Sequence, residues 1–392
     1  MRLSLLLLAT SLLITHSARA QHPLPVLRSS TAAITIVDGD ERRNAYWSLD
    51  PSTRPDVYVA DRTRDTKDVA FITDRDSMRF TLKPGAQYDF IILLNASDSC
   101  YTRLRSAITP AMLAFEYSSE RAAPDTIPFQ LSPTNNVLVR AVLNEMDTLT
   151  LMFHTGMQGV AITEEARKRL HAFRTDGSVA VDTWGGKTEG GMSLRNALRI
   201  GQRRVQDVEI TVDEQSGEGS DGKVGYDLFA GQVLELDYDK GLLIVHDRPP
   251  QDLAGYDDLP IDYVRGSFHI RCSLSTGHGV IEYPFMVHTG YSGALIMGTR
   301  SAFPVRDTLG VEVLRDSYSN ELRNVRTRIP ELVVGEQHFT DVPASVMDPH
   351  ARIAANVIGG DLLKRFNWFL DLRNDVLYLK PNSMFGMPYW KK

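Results

Sequence analysis

The sequence predicts an all-β protein in which a small antiparallel β domain precedes two related β lobes. Three observations carry that expectation: alternating and β-branched stretches dominate the chain, helix signals are few, and the part beyond residue 128 contains an internal repeat. With 392 residues the chain has room for two or three domains, and 43% hydrophobic content fills their cores. That composition excludes a disordered or fibrous class.

The start, MRLSLLLLATSLLITHSARA, combines Arg2, an apolar run from Leu5 to Ile14 and the small-x-small sequence Ala18-Arg19-Ala20. This is the pattern of a secretory signal over residues 1–20, cleaved before Gln21. The apolar run is shorter than the roughly 20 residues that span a bilayer, and Gln21 is not a cysteine that takes a lipid. A soluble exported protein, periplasmic or extracellular, is expected, with no transmembrane segment. Cleavage would remove Arg2 and Arg19 and no acid, leaving 41 basic against 49 acidic residues, a balance of −8. Nucleic acid and anionic membranes are poor partners for that charge.

From about 33 to 106 the stretches AITIV, DVYVAD, DVAFITD, SMRFTL, YDFIILLN and CYTRL are separated by Asp, Asn, Gly and Pro. They read as a small antiparallel β domain over residues 21–120, and residues 107–127 as its connection to the first lobe. Asn95-Ala96-Ser97 fits a glycosylation sequon, a frequent chance match that matters only in a eukaryotic host. Cys100 and Cys272 either pair, as an exported chain allows, or remain two unrelated buried thiols. No Cys/His group has zinc-finger spacing, and no cofactor is implied.

The repeat sets the architecture. LMFHTG ends at Gly156 and FMVHTG at Gly290, an offset of 134. The same offset links Gly201 with Gly335, Asp207-Val208 with Asp341-Val342, GYDLF at 225–229 with GGDLL at 359–363, and Asp237 with Asp371. Upstream, VLVR from Val137 and FHIR from Phe268 match at 131, which puts a three-residue difference in the hairpin turn between that strand and the HTG strand. Two homologous lobes, 128–247 and 258–381, therefore flank the linker RPPQDLAGYDD. Within them TEEARKRLHAF predicts a helix with Thr163 as N-cap and acids in its first turn. Short turns are expected at DLFAG and DLLKRF.

A β lobe of about 120 residues with a hydrophobic strand running into x-Thr-Gly, and a hydrophobic-Gly motif some 70 residues later, resembles the aspartic protease fold. The likeness is to bacterial retropepsin-like aspartyl proteases with both lobes in one chain, and it covers roughly residues 128–381. The resemblance implies a bilobal pepsin-like fold with an interlobe cleft. It implies that Thr155 and Thr289 hydrogen-bond across a pseudo-twofold axis, that Gly156 and Gly290 permit the tight turn, and that Gly225 and Gly359 let another segment pass beneath the loop. The stretch Trp184 to Gly191, WGGKTEGG, is expected to form a flap hairpin, with Trp184, Gly185 and Gly186 over the cleft. One departure is Lys223-Val224, where lobe two has Val357-Ile358 and the family has two apolar residues.

The larger departure is central. The family's reaction needs two carboxylates sharing a proton, and here both dyad positions are histidine, His154 and His288. Imidazole has no second oxygen to bridge a water symmetrically and titrates near neutrality. Two imidazoles in van der Waals reach disfavour being charged together, so the pair should bind at most about one proton near pH 7.

The residues admit three functional readings. In the first and preferred one, the cleft is that of a pseudoprotease, which binds an extended peptide or protein segment by strand addition without cutting it. In the second, the histidine pair serves a hydrolase or peptidase, alone as general base or with a metal ion, although zinc wants three protein ligands and no third has motif support. In the third, a conventional aspartic endopeptidase draws its carboxylates from elsewhere. Asp227 and Asp361 are also paired at 134, but their setting just after the glycine predicts N-caps of a short helix. Asp237 and Asp371 are expected to shape turns at strand ends.

Overall fold

The structure, a computed structural model, describes residues 23–46, 56–108, 124–182, 187–229, 231–264, 267–275, 279–298, 308–347 and 355–390. The expected signal segment 1–20 lies outside the described residues, as does most of the connection at 107–127.

The N-terminal part has eight strands: β1 (Val26–Ser29), β2 (Ala33–Asp38), β3 (Glu41–Tyr46), β4 (Asp56–Ala60), β5 (Lys67–Ile72), β6 (Ser77–Leu82), β7 (Gln87–Leu94) and β8 (Asp98–Ser106). They form two sheets, in the orders β1-β7-β8-β4 and β3-β2-β5-β6. Alternation puts Leu27, Phe71, Phe90 and Leu104 into the shared core. The second sheet is antiparallel throughout, whereas in the first both outer pairs, β1/β7 and β4/β8, run parallel. Alternation marks which face of a strand is buried and leaves the direction of its neighbour open, so the sequence could not show this.

Lobe one contains β9 (Asp125–Leu131), β10 (Val137–Leu143), β11 (Asp147–His154), β12 (Val160–Thr163), α1 (Glu164–Arg169), β13 (Gly177–Asp182), β14 (Lys187–Ile200), β15 (Arg203–Asp213), β16 (Gly222–Gly225), β17 (Val233–Asp237) and β18 (Leu242–His246). Lobe two contains β19 (Asp257–Pro260), β20 (Asp262–Val264), β21 (Ser267–Ser275), β22 (Val280–His288), β23 (Leu295–Met297), β24 (Gly310–Arg315), β25 (Glu321–Val334), β26 (Gln337–Val346), β27 (Val357–Gly359), α2 (Gly360–Leu363), β28 (Phe366–Asp371) and β29 (Val376–Pro381). Each lobe closes a six-stranded barrel, β10-β11-β16-β12-β15-β14 through the β14/β10 pairing and β21-β22-β27-β23-β26-β25 through β21/β25. A further sheet, β9-β18-β17-β28-β29-β19, joins the lobes. Leu236 pairs with the fully buried Trp368 at its centre. The double-barrel architecture that the resemblance implies is present.

The repeat extends to backbone conformation. Leu138 lies opposite Met152 and His269 opposite Met286, reproducing the offsets 131 and 134. Gly201 and Gly335 have φ of +59° and +60°, and Asp207 and Asp341 have +55° and +52°. The two glycines also sit against a carboxylate. The Asp125 side chain accepts from Gln202 N, that of Asp257 from Glu336 N at 2.9 Å, and a Cβ at Gly335 would stand 2.6 Å from Asp257 Oδ2.

Thr163 caps α1, its hydroxyl accepting from Ala166 N at 3.1 Å. The helix stops at Arg169, short of the amphipathic pattern, and the N–H groups of His171 and Ala172 are taken by the Asp147 carboxylate. Asp237 and Asp371 shape turns: Asp237 Oδ1 accepts from Lys240 N and Asp371 Oδ1 from Arg373 N and Asn374 N. Cys100 and Cys272 lie in separate cores, so no disulfide joins them. The N-terminal sheets dock on lobe two through Arg62, which pairs with Asp375 at 3.0 Å, donates to Leu372 O and lies 4.9 Å from the Tyr263 ring centroid.

Candidate functional site

Strands β11 and β22 end in the buried apolar runs Leu151–Phe153 and Phe285–Val287 and deliver His154 and His288 directly after them. There the lobes interlock. Thr155 Oγ1 donates to Val287 O and Thr289 Oγ1 to Phe153 O, each at 2.6 Å. Each hydroxyl also accepts from the other threonine's N–H, at 3.0 and 3.1 Å. Both threonines are buried, so the four hydrogen bonds satisfy groups that water does not reach.

The interlock brings the imidazoles face to edge, with ring centroids 4.6 Å apart and planes at 65°. The glycines make room for them. A Cβ on Gly156 would stand 2.6 Å from His288 Cδ2, and one on Gly290 would stand 2.3 Å from His154 Nε2. Each glycine therefore holds open the space filled by the opposite lobe's ring. Gly156 N donates to His154 Nδ1 at 3.1 Å, which puts the proton of the neutral ring on Nε2.

Burial disfavours charge on both rings. The His154 pKa falls well below its ordinary value through burial first, then the neighbouring His288 and Lys223. That of His288 falls to about 4, again through burial, with Lys223 adding to the effect. Both imidazoles are neutral at pH 7, below the single proton the sequence allowed.

Gly225 and Gly359 carry close crossings. A Cβ at Gly225 would stand 2.8 Å from Met157 O, and one at Gly359 2.3 Å from Gly293 O. The crossing segments also take the N–H groups there, Gly225 N donating to Gly159 O and Gly360 N to Tyr291 O, both at 2.7 Å. The expected N-caps at Asp227 and Asp361 do not form. Asp227 lies inside a 3-10 turn, Tyr226–Phe229, and its Oδ1 accepts from Gly159 N at 2.8 Å. Burial pushes its pKa up. In lobe two Gly359 is the N-cap of α2, while Asp361 pairs with Lys364 at 2.8 Å and accepts from Trp390 N at 2.8 Å.

Lys223, the apolar-to-charged departure, points its chain into the cleft from β16 and is 5% exposed. Its ammonium lies 2.6 Å from Asp213 Oδ2 and donates to Ser317 Oγ, from the other lobe. Ser317 sits in the turn between β24 and β25, which reaches across: its carbonyl accepts from Glu214 N and Gln215 N at 3.0 Å, and Tyr318 Oη donates to Val212 O at 3.1 Å. Nothing local in the sequence marks this bridge, since Lys223 and Ser317 are 94 positions apart. Also without a motif, Asn136 Nδ2 donates to Thr289 O at 3.0 Å and Asn135 Nδ2 to Ser292 O at 2.9 Å.

Above the rings lies a cleft of about 1490 Å³ lined by both lobes. The β13/β14 hairpin pairs from Gly177 with Met192 to Asp182 with Lys187. The predicted flap residues Trp184, Gly185 and Gly186 fall outside the described residues. Among the described residues, no group of three His, Cys, Asp or Glu side chains is placed to hold a metal ion, and no helix is long and apolar enough to cross a membrane.

No curated protein matches the chain significantly. Among solved structures, that of the aspartic proteinase from Irpex lacteus aligns with a TM-score of 0.47 at 14% identity, covering 68% of this chain and 99% of that one. A family model described as "Aspartyl protease" matches residues 139–228, from β10 through the His154-Thr155-Gly156 loop to the turn after Gly225. Over that part of its first lobe, the chain is similar to the aspartyl proteases.

Proposed function

We propose that this protein is an exported pseudoprotease, which holds an extended peptide or protein segment in the interlobe cleft and does not perform conventional aspartic proteolysis. The observation that carries the reading is the pair of neutral imidazoles at the meeting point of the loops. Shared-proton catalysis needs one ionised and one protonated oxygen acid at that spot. His154 and His288 supply neither, and Asp227 and Asp361 are engaged in holding Gly159 and Trp390. The cleft's size supports binding of a segment several residues long, and the sequence of residues 1–20 supports export.

The test is incubation of the purified protein with a broad peptide library at acid and neutral pH, reading retained and cleaved peptides by mass. The expected result is retention of a subset of intact peptides. Cleavage that disappears in His154→Ala or His288→Ala would instead establish a histidine-based hydrolase. Cleavage that survives both substitutions would point to acids elsewhere. In the His154→Asp/His288→Asp variant, gained cleavage would show that the rest of the cleft remains competent.

A further inference from the structure

We infer that the segment after β29 builds a side-chain subsite of the cleft, in which the Trp390 indole packs against an aromatic side chain of the bound peptide. The inference rests on the peptide-binding reading and deepens it. After Pro381 the chain turns back along lobe two. Asn382 N donates to Arg365 O at 3.0 Å, and Phe385 packs between Phe339 and Phe366, with centroids 5.1 and 5.8 Å away. Arg365, 2% exposed, donates to Phe385 O at 2.7 Å and Met387 O at 2.6 Å and stacks 4.5 Å from the Tyr389 centroid. Asp361 then takes Trp390 N, and Trp390 belongs to the lining of the cleft that holds His154 and His288.

The anchor is expensive in kind. Asp361, Lys364 and Arg365 are all buried and lie together, with Lys364 Nζ 2.8 Å from Asp361 Oδ1 and Arg365 Nε donating to Asp361 O at 2.9 Å. Arg365 directs Nη1 to two carbonyls of this segment and Asp361 takes Trp390 N, so the cluster ties the backbone of residues 385–390 to lobe two. Lobe one uses the equivalent Asp227 for its own loop, so the device belongs to lobe two alone. The lobe-two lining of the cleft carries Tyr291, Ile296, Leu314 and Leu322 as well as the charged Glu312 and Arg315. The part-exposed Trp390 indole offers a flat apolar face that favours an aromatic partner.

The experiment compares a short polar peptide carrying one phenylalanine with the same peptide carrying alanine there, by calorimetric titration against the full chain, Trp390→Ala and Trp390→Phe. The wild-type protein should prefer the phenylalanine peptide by about tenfold. Trp390→Ala should erase the preference at an unchanged thermal midpoint, and Trp390→Phe should keep most of it. A preference that survives Trp390→Ala, or tighter binding of both peptides by that variant, overturns the subsite and leaves the peptide-binding reading standing. If neither these peptides nor any in the library bind the wild-type protein, both fall together.

Discussion

Thr155 and Thr289 each place a hydroxyl against the backbone of the opposite lobe, donating to Val287 O and Phe153 O at 2.6 Å. Because each hydroxyl also receives the other's N–H, removing one strands two buried backbone groups. Thr155→Val should lower stability by about 2–4 kcal/mol, the range for orphaned buried polar groups. Thr155→Ser, which keeps the oxygen, should stay within about 1 kcal/mol of wild type. Chemical denaturation of both variants checks this; equal loss in the two would mean that packing of the methyl group dominates.

Gly290→Ala would drive a methyl group into His154 Nε2, 2.3 Å from its ideal position, and Gly156→Ala would meet His288 in the same way. Overpacking at a contact this close should destabilise by about 1–3 kcal/mol and separate the rings. The imidazole resonances of both histidines should shift in either variant, since each glycine faces the opposite lobe's ring.

The histidines also make stability depend on pH. Their folded-state pKa values lie below the unfolded value near 6.5, so the unfolded chain binds more protons and stability rises with pH. The contribution is complete above about 6.5 and is lost as pH falls toward the value of about 4 reached by His288. For that ring it amounts to about 2 kcal/mol after allowance for its part-exposed edge. Urea midpoints measured between pH 7 and pH 4 should show this slope, and His154→Asn/His288→Asn should flatten it.

Lys223→Met removes the cation from a buried pair and leaves Asp213 without its ammonium. A loss of about 3–5 kcal/mol is expected, with much of it restored in Lys223→Met/Asp213→Leu. Lys223 holds both histidine pKa values down, so either variant should raise them. Nuclear magnetic resonance titration of the rings reads that shift. Unmoved values would mean that burial alone sets them.

How much of this was legible in the sequence differs residue by residue. Gly156, Gly290, Gly225 and Gly359 stand out because backbone or an opposing ring approaches too closely for a Cβ, a constraint that writes a single letter at a fixed offset in both lobes. Thr155 and Thr289 recur for the same reason, each being the other's partner. The Asp227 and Asp361 carboxylates misled, because the pattern after a glycine looks like an N-cap while the side chains turn to N–H groups remote in sequence, those of Gly159 and Trp390.

The order of residues by itself determined two β lobes, their register and the pairing of His154 with His288, since a duplicated backbone imposes the same demands twice. Tertiary structure alone decided what surrounds the rings: Lys223 meets Ser317 from the other lobe, Asn136 reaches Thr289, and Arg365 fixes the segment carrying Trp390. Those contacts join positions that no period or spacing relates, and only the folded chain brings them within hydrogen-bonding distance.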